Sequence, residues 1–150
     1  MRIALLFHLL GIVVWVGGMF FAYMALRPVA AAVLEPPQRL RLWAGVFGKF
    51  FPWVWLSIAM ILVSGLYMWM LMGGASAPLY TLAMLVLGVG MMLIFAHVFF
   101  APYKKLKRAV AQEAWSQGAA ALGQIRMLIG INLTIGLVTL VVVMVGQALA

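Results

Sequence analysis

Residues 50–103 read FFPWVWLSIAMILVSGLYMWMLMGGASAPLYTLAMLVLGVGMMLIFAHVFFAPY, without one Asp, Glu, Lys or Arg. A bilayer core of about 30 Å needs about 20 residues of helix, so this stretch is long enough for two spans. GGASAP at 73–78 is the natural break, since Gly, Ser and Pro favour a turn. Working outward, residues 3–26 and 127–150 are also free of those four residue types. The expectation is an all-α membrane protein, a bundle of four transmembrane helices at about 3–26, 50–72, 78–102 and 127–149, forming one transmembrane domain over 1–150. The first segment has bulky aromatics, Trp15 among them, and no clear small-residue cleavage site, so it reads as a span rather than a cleaved leader.

Composition agrees. The chain is 68% hydrophobic and 8% charged, far from the balance of soluble domains. It has no cysteine, which removes disulfides, thiolate catalysis and iron–sulfur clusters. Its only acids are Glu35 and Glu113, too few for paired-carboxylate chemistry or a carboxylate-rich metal site. The net charge of +8 marks membrane-flanking loops here rather than nucleic-acid binding. The partner it implies is the lipid bilayer; a homo-oligomer and a redox partner remain open.

The basic residues orient the spans. Arg27, Arg39, Arg41 and Lys49 fall between the first two spans, and Lys104, Lys105, Lys107, Arg108 and Arg126 between the last two, whereas the opposite side holds Arg2. The positive-inside rule then places both basic segments in the cytoplasm and both termini in the periplasm of a bacterial inner membrane. Pro36-Pro37 can open a short helix with Leu40, Trp43, Val46 and Phe47 on one face. Residues 104–115 read as an amphipathic extension of the third span, with headgroup contact the plain role for both segments.

Each span gathers its small and polar residues on one face: Ala4, His8, Gly11, Trp15, Gly18 and Ala22 in the first; Trp53, Ser57, Met60, Ser64 and Met68 in the second, with Tyr67 beside them; Ala83, Gly90, His97 and Ala101 in the third; Asn132, Gly136, Thr139, Val143 and Gly146 in the fourth. Small residues let helices approach in lipid, and Ser or Thr can bond its own helix backbone. These stripes are therefore expected to face inward, whether for packing alone or for a ligand.

An ionisable residue within a span is a functional candidate. His8 and His97 lie about 14 positions apart in helical index, roughly 20 Å along the bilayer normal, so they are not expected to share one haem iron. In the outer half, Met68, Met72 and Met84 offer thioethers near His8; an imidazole with a thioether suits haem or Cu(I). In the inner half, Lys49, Trp53, Arg126 and Asn132 lie near the depth of His97, and the cations there can hold tetrapyrrole propionates or simply snorkel.

The run from His8 through Gly11, Trp15, Gly17 and Gly18 to Phe21 resembles the first helix of the CopD and HemJ-type membrane proteins. Ser64-Gly65, Phe95-Ala96-His97 and Arg126 leading to Asn132 resemble the same group. The resemblance implies copper handling at the inner membrane on the CopD side. On the HemJ side it implies haem b, with His8, His97 and Arg126 as the matching positions. Where HemJ proteins carry a lysine early in the third helix, this chain has Tyr80-Thr81-Leu82-Ala83, which draws it toward small, stand-alone CopD-like proteins. The leading expectation is thus a haem b-binding protein with a redox or haem-linked role. Its cofactor set is His8, His97, Arg126, Lys49 and Trp15, and any catalysis would be that of a haem-dependent oxidoreductase. The alternative is Cu(I) binding or transport by His8 and His97 with Met68, Met72 or Met84. A non-catalytic membrane subunit is the third possibility.

Overall fold

The computed structural model describes residues 1–149. Six α-helices follow in order: α1 (Arg2–Phe21), α2 (Arg27–Val33), α3 (Pro36–Leu71), α4 (Leu79–Phe100), α5 (Pro102–Ala111) and α6 (Trp115–Leu149). A π-helical turn, Ala22–Leu26, joins α1 to α2, and a 3₁₀ turn, Gly74–Ser76, joins α3 toward α4. Together they make four helices long and apolar enough to cross a membrane: Arg2–Val33, Pro36–Leu71, Leu79–Ala111 and Trp115–Leu149. The chain is a multi-pass membrane protein built as a four-helix bundle.

The turn expected at 73–78 is present, and Gly73 and Gly74 adopt φ of 100° and 57°. Only glycine takes such angles without steric cost. At the other end the amphipathic extension expected after the third span is present through Ala111, and the helix expected from Pro36-Pro37 runs on into the second span. The first two spans are separated by Leu34 and Glu35 alone, and the last two by Gln112, Glu113 and Ala114. The basic segments are helical extensions. At 1.5 Å per residue, the 36 residues of α3 reach about 54 Å, well beyond a hydrocarbon core of about 30 Å.

Those extensions hold much of the best-buried core. Leu106 and Ile125 are wholly buried, and Leu40, Trp43, Phe47 and Tyr103 are nearly so. Outside the bilayer, burial of apolar surface drives association, so α5 uses Tyr103, Leu106 and Ala109 on one face and carries its lysines on the other. An aromatic column continues inward: Phe47 stacks on Phe51 at 5.0 Å, and Phe51 meets Tyr103 edge-on at 4.8 Å and Phe95 at 5.2 Å. Arg41 bonds Glu113 at 3.2 Å, a half-exposed pair that contributes at most about 1 kcal/mol.

Within the membrane, α1 packs along α3 and α4 along α6. Here contacts rest on small residues. A methyl group on Gly11 would stand 2.8 Å from Ile61 Cγ1 and 3.0 Å from the Ser57 carbonyl oxygen, and one on Gly18 would overlap the Phe50 ring. Gly136 lies where α1, α4 and α6 meet, with Met91 and Val16 against it. Thr134 and Thr139 bond the carbonyls of Gly130 and Ile135 in their own helix.

The first and fourth faces run as expected, the second does so apart from Trp53 and Tyr67, and the third is displaced. Trp53 and Tyr67 are exposed, while Phe51, Val54, Ser57, Ile58, Ser64 and Met68 are buried. In α4 the buried positions are Thr81, Met91, Phe95 and Val98. His97 is exposed, and the space beyond Gly90 is open for 4 Å. The inward-facing expectation for His97 is therefore corrected. Phe95 meets the rings of Trp15, Phe51 and Trp55, and this packing turns the neighbouring Gly90–His97 face outward.

Candidate functional site

Gly11 and Gly65 bring α1 and α3 close enough for His8 to lie against the partner helix. A methyl on Gly65 would stand 3.1 Å from His8 Cε1 and 3.4 Å from Nδ1. His8 is buried at 7% exposure. Its Nδ1 lies 3.0 Å from Ser64 Oγ and 3.2 Å from the Ile61 carbonyl oxygen.

These contacts define the tautomer. The Ser64 hydroxyl donates to the Met60 carbonyl, so its oxygen is left to accept. The Ile61 carbonyl can only accept. Both neighbours thus require a proton on Nδ1, and Nδ1–H donates to them. In the neutral ring this leaves the lone pair on Nε2, for which no hydrogen bond is found among the described residues. Metal-ligating histidines usually donate their other ring N–H to a group of this kind.

Met68 follows Ser64 by one helical turn on the same buried face of α3. Met72 caps that helix and is half-buried, and Met84 is half-buried on α4. No described contact joins Met68, Met72 or Met84 to His8. Among the described residues no three His, Cys, Asp or Glu side chains converge as a metal site, so soft thioethers are the available additional donors.

The other expected ligands lie elsewhere. Trp15 is 2% exposed and meets Phe95 edge-on at 6.1 Å. It lines a cavity of about 20 Å³ at the bundle centre, shared with Asn132. Asn132 Nδ2 donates to the Met91 carbonyl at 3.3 Å, while its buried Oδ1 has no partner among the described residues. Lys49 is exposed. Arg126 lines a second cavity, of about 400 Å³, at the basic end, together with Tyr23, Arg27, Arg39 and Trp43. Sequence reading named Arg126 and missed Arg27 and Arg39 as its companions. The available signal was Pro28. Its missing N–H cannot continue the α-helical ladder, and the Arg27 N–H reaches back to the Ala22 carbonyl, one residue further than in an α-helix.

The family model for CopD, Copper resistance protein D, matches residues 44–145. The chain belongs to the CopD family. The match runs from the basic extension of α3 almost to the end of α6, and so includes Ser64, Met68, His97 and Arg126. The α1 stripe carrying His8 precedes it. Comparisons with curated proteins and with solved structures returned no match. For a CopD protein, the meeting of α1 and α3 at His8 joins a residue outside the matched segment to two within it.

Proposed function

We propose that this CopD protein handles Cu(I) in a bacterial inner membrane, with His8 Nε2 and the Met68 thioether as donors to the ion as cargo. The observation carrying this reading is the hydrogen-bonded Nδ1 of His8, which leaves Nε2 as the lone-pair nitrogen. Imidazole and thioether are soft enough for Cu(I), which tolerates low coordination numbers and needs no carboxylate. Copper is also the metal in the family description.

Haem b suits this geometry less well. The space left by Gly11 is occupied by Ile61 and the Ser57 carbonyl, and that beside Gly65 by His8 itself. His97, the other candidate axial ligand, faces outward from α4. The large cavity lies at the basic end among Arg27, Arg39 and Arg126, whereas His8 lies near the other end of α1.

Competition with a chromophoric Cu(I) chelator tests the reading on purified protein in nanodiscs. The wild type is expected to withdraw Cu(I) from the chelator, and Met68→Leu to weaken binding about tenfold or more while nearly conserving side-chain volume. A Soret band that grows on haemin addition and disappears in His8→Ala would instead support haem. A protein that neither competes for Cu(I) nor binds haemin would make His8 an interhelical hydrogen-bonding residue.

A further inference from the structure

The cavity at the basic end lies apart from the His8 site and has its own chemistry. Three arginines line it, Arg27, Arg39 and Arg126, from α2, α3 and α6. Neither acid of the chain lines it; Glu113 is paired with Arg41, and Glu35 is exposed at the linker. Among the described residues Arg39 Nε is buried without a partner, and Nη2 has only a long 3.5 Å contact to the Leu34 carbonyl. Arg27 lies over the Tyr23 ring, 4.7 Å from its centroid. Three like charges line one cavity without a carboxylate beside them among the described residues, and one donor is desolvated.

The remaining walls narrow the ligand class. Tyr23 and Trp43 supply aromatic surface, and Met24, Pro28 and Ala31 are exposed at the rim. At about 400 Å³ the cavity is within the size range of small-molecule sites. The π-helical turn shapes it directly, since Ala22, Tyr23 and Met24 of that turn all line it. Such turns within α-helices are frequent at functional sites.

We propose that this cavity is a specific site for the headgroup of an anionic phospholipid from the leaflet facing the basic extensions. Its phosphodiester is received by Arg27, Arg39 and Arg126, and its glycerol and upper acyl carbons lie along Tyr23, Trp43 and the exposed rim. Guanidinium groups match phosphate oxygens in charge and fork geometry. The aromatic walls suit the boundary between headgroup and hydrocarbon. This is a built site, distinct from the diffuse attraction of the exposed lysines on α5.

Native mass spectrometry of the full chain, released from detergent with phosphatidylglycerol or phosphatidylcholine added, tests the proposal. Phosphatidylglycerol is expected to remain bound in preference to phosphatidylcholine, and the double variant Arg39→Gln/Arg126→Gln to lower that preference about tenfold or more. Ala31→Trp, which fills space at the rim and keeps every charge, should also weaken the adduct. Lys104→Gln/Lys105→Gln, on exposed residues outside the cavity, should leave it unchanged. Equal retention of the two lipids, or wild-type retention in both cavity variants, overturns the proposal. Displacement of the lipid by millimolar inorganic phosphate also overturns it, because the site would then belong to a free anion. Circular dichroism identifies a misfolded arginine variant, and Ala31→Trp then supplies the deciding measurement.

Discussion

At the scale of single residues, Ser64 links packing to chemistry. Its hydroxyl donates within α3 and its oxygen accepts from His8 Nδ1–H. Ser64→Ala removes that acceptor and leaves the Ile61 carbonyl at 3.2 Å as the remaining anchor. The fold should lose only about 1 kcal/mol, whereas Cu(I) affinity should fall about 10- to 100-fold, the usual penalty for losing a group that orients a ligand. Thermal unfolding and chelator competition on the same sample check the two halves. A loss of stability without a loss of affinity would make the Ser64–His8 bond purely structural.

Among the helices, contrasting glycines provide the test. Gly11 and Gly90 were both expected on inward faces. A methyl on Gly11 must displace Ile61 and meets the Ser57 carbonyl, whereas a methyl on Gly90 meets nothing within 4 Å. Gly11→Ala should therefore destabilise the protein by about 1–3 kcal/mol through overpacking. Gly90→Ala should be neutral or stabilising by up to about 1 kcal/mol, through its better helix propensity. Unfolding in detergent, followed by circular dichroism, compares them. The α1 stripe was legible because its small residues do pack at an interface. The α4 face was not legible, because inward packing there falls to Met91, Phe95 and Val98. In a span that is apolar all round, large residues can serve either side, and periodicity alone does not choose between them. In α3 the stripe of Ser57, Ser64 and Met68 is buried as expected, whereas Phe51 and Val54 take the inward place expected of Trp53.

Over the whole molecule, the four spans and their central turn could be read from uncharged length and the Gly-Gly break. The basic extensions could be read only in part. Their charge indicated contact with headgroups, and an apolar face was visible along Leu40, Trp43 and Phe47. Their mutual packing through Leu106 and Ile125 depends on tertiary contacts that no local pattern encodes. The arginine-lined cavity was hidden for the same reason, since Arg27, Arg39 and Arg126 are distant in sequence. The nine-to-one distribution of basic residues predicts that a reporter fused at Ala111 is cytoplasmic and one inserted at Ala75 is external. The reverse pair of signals would invert the bundle and place the His8 end inside.

For the site, sequence reading found His8 and Met68 as candidates. The hydrogen bonds that hold the imidazole depend on the register of α1 against α3 and emerged only in the fold. The most direct measurement of the copper reading is Cu K-edge X-ray absorption on Cu(I)-loaded protein in nanodiscs, comparing wild type with His8→Ala and Met68→Leu. The account predicts an inner shell with imidazole nitrogen and sulfur. The imidazole multiple scattering should disappear in His8→Ala, and the sulfur contribution should fall in Met68→Leu. A shell without sulfur, or one that neither substitution changes, would contradict it.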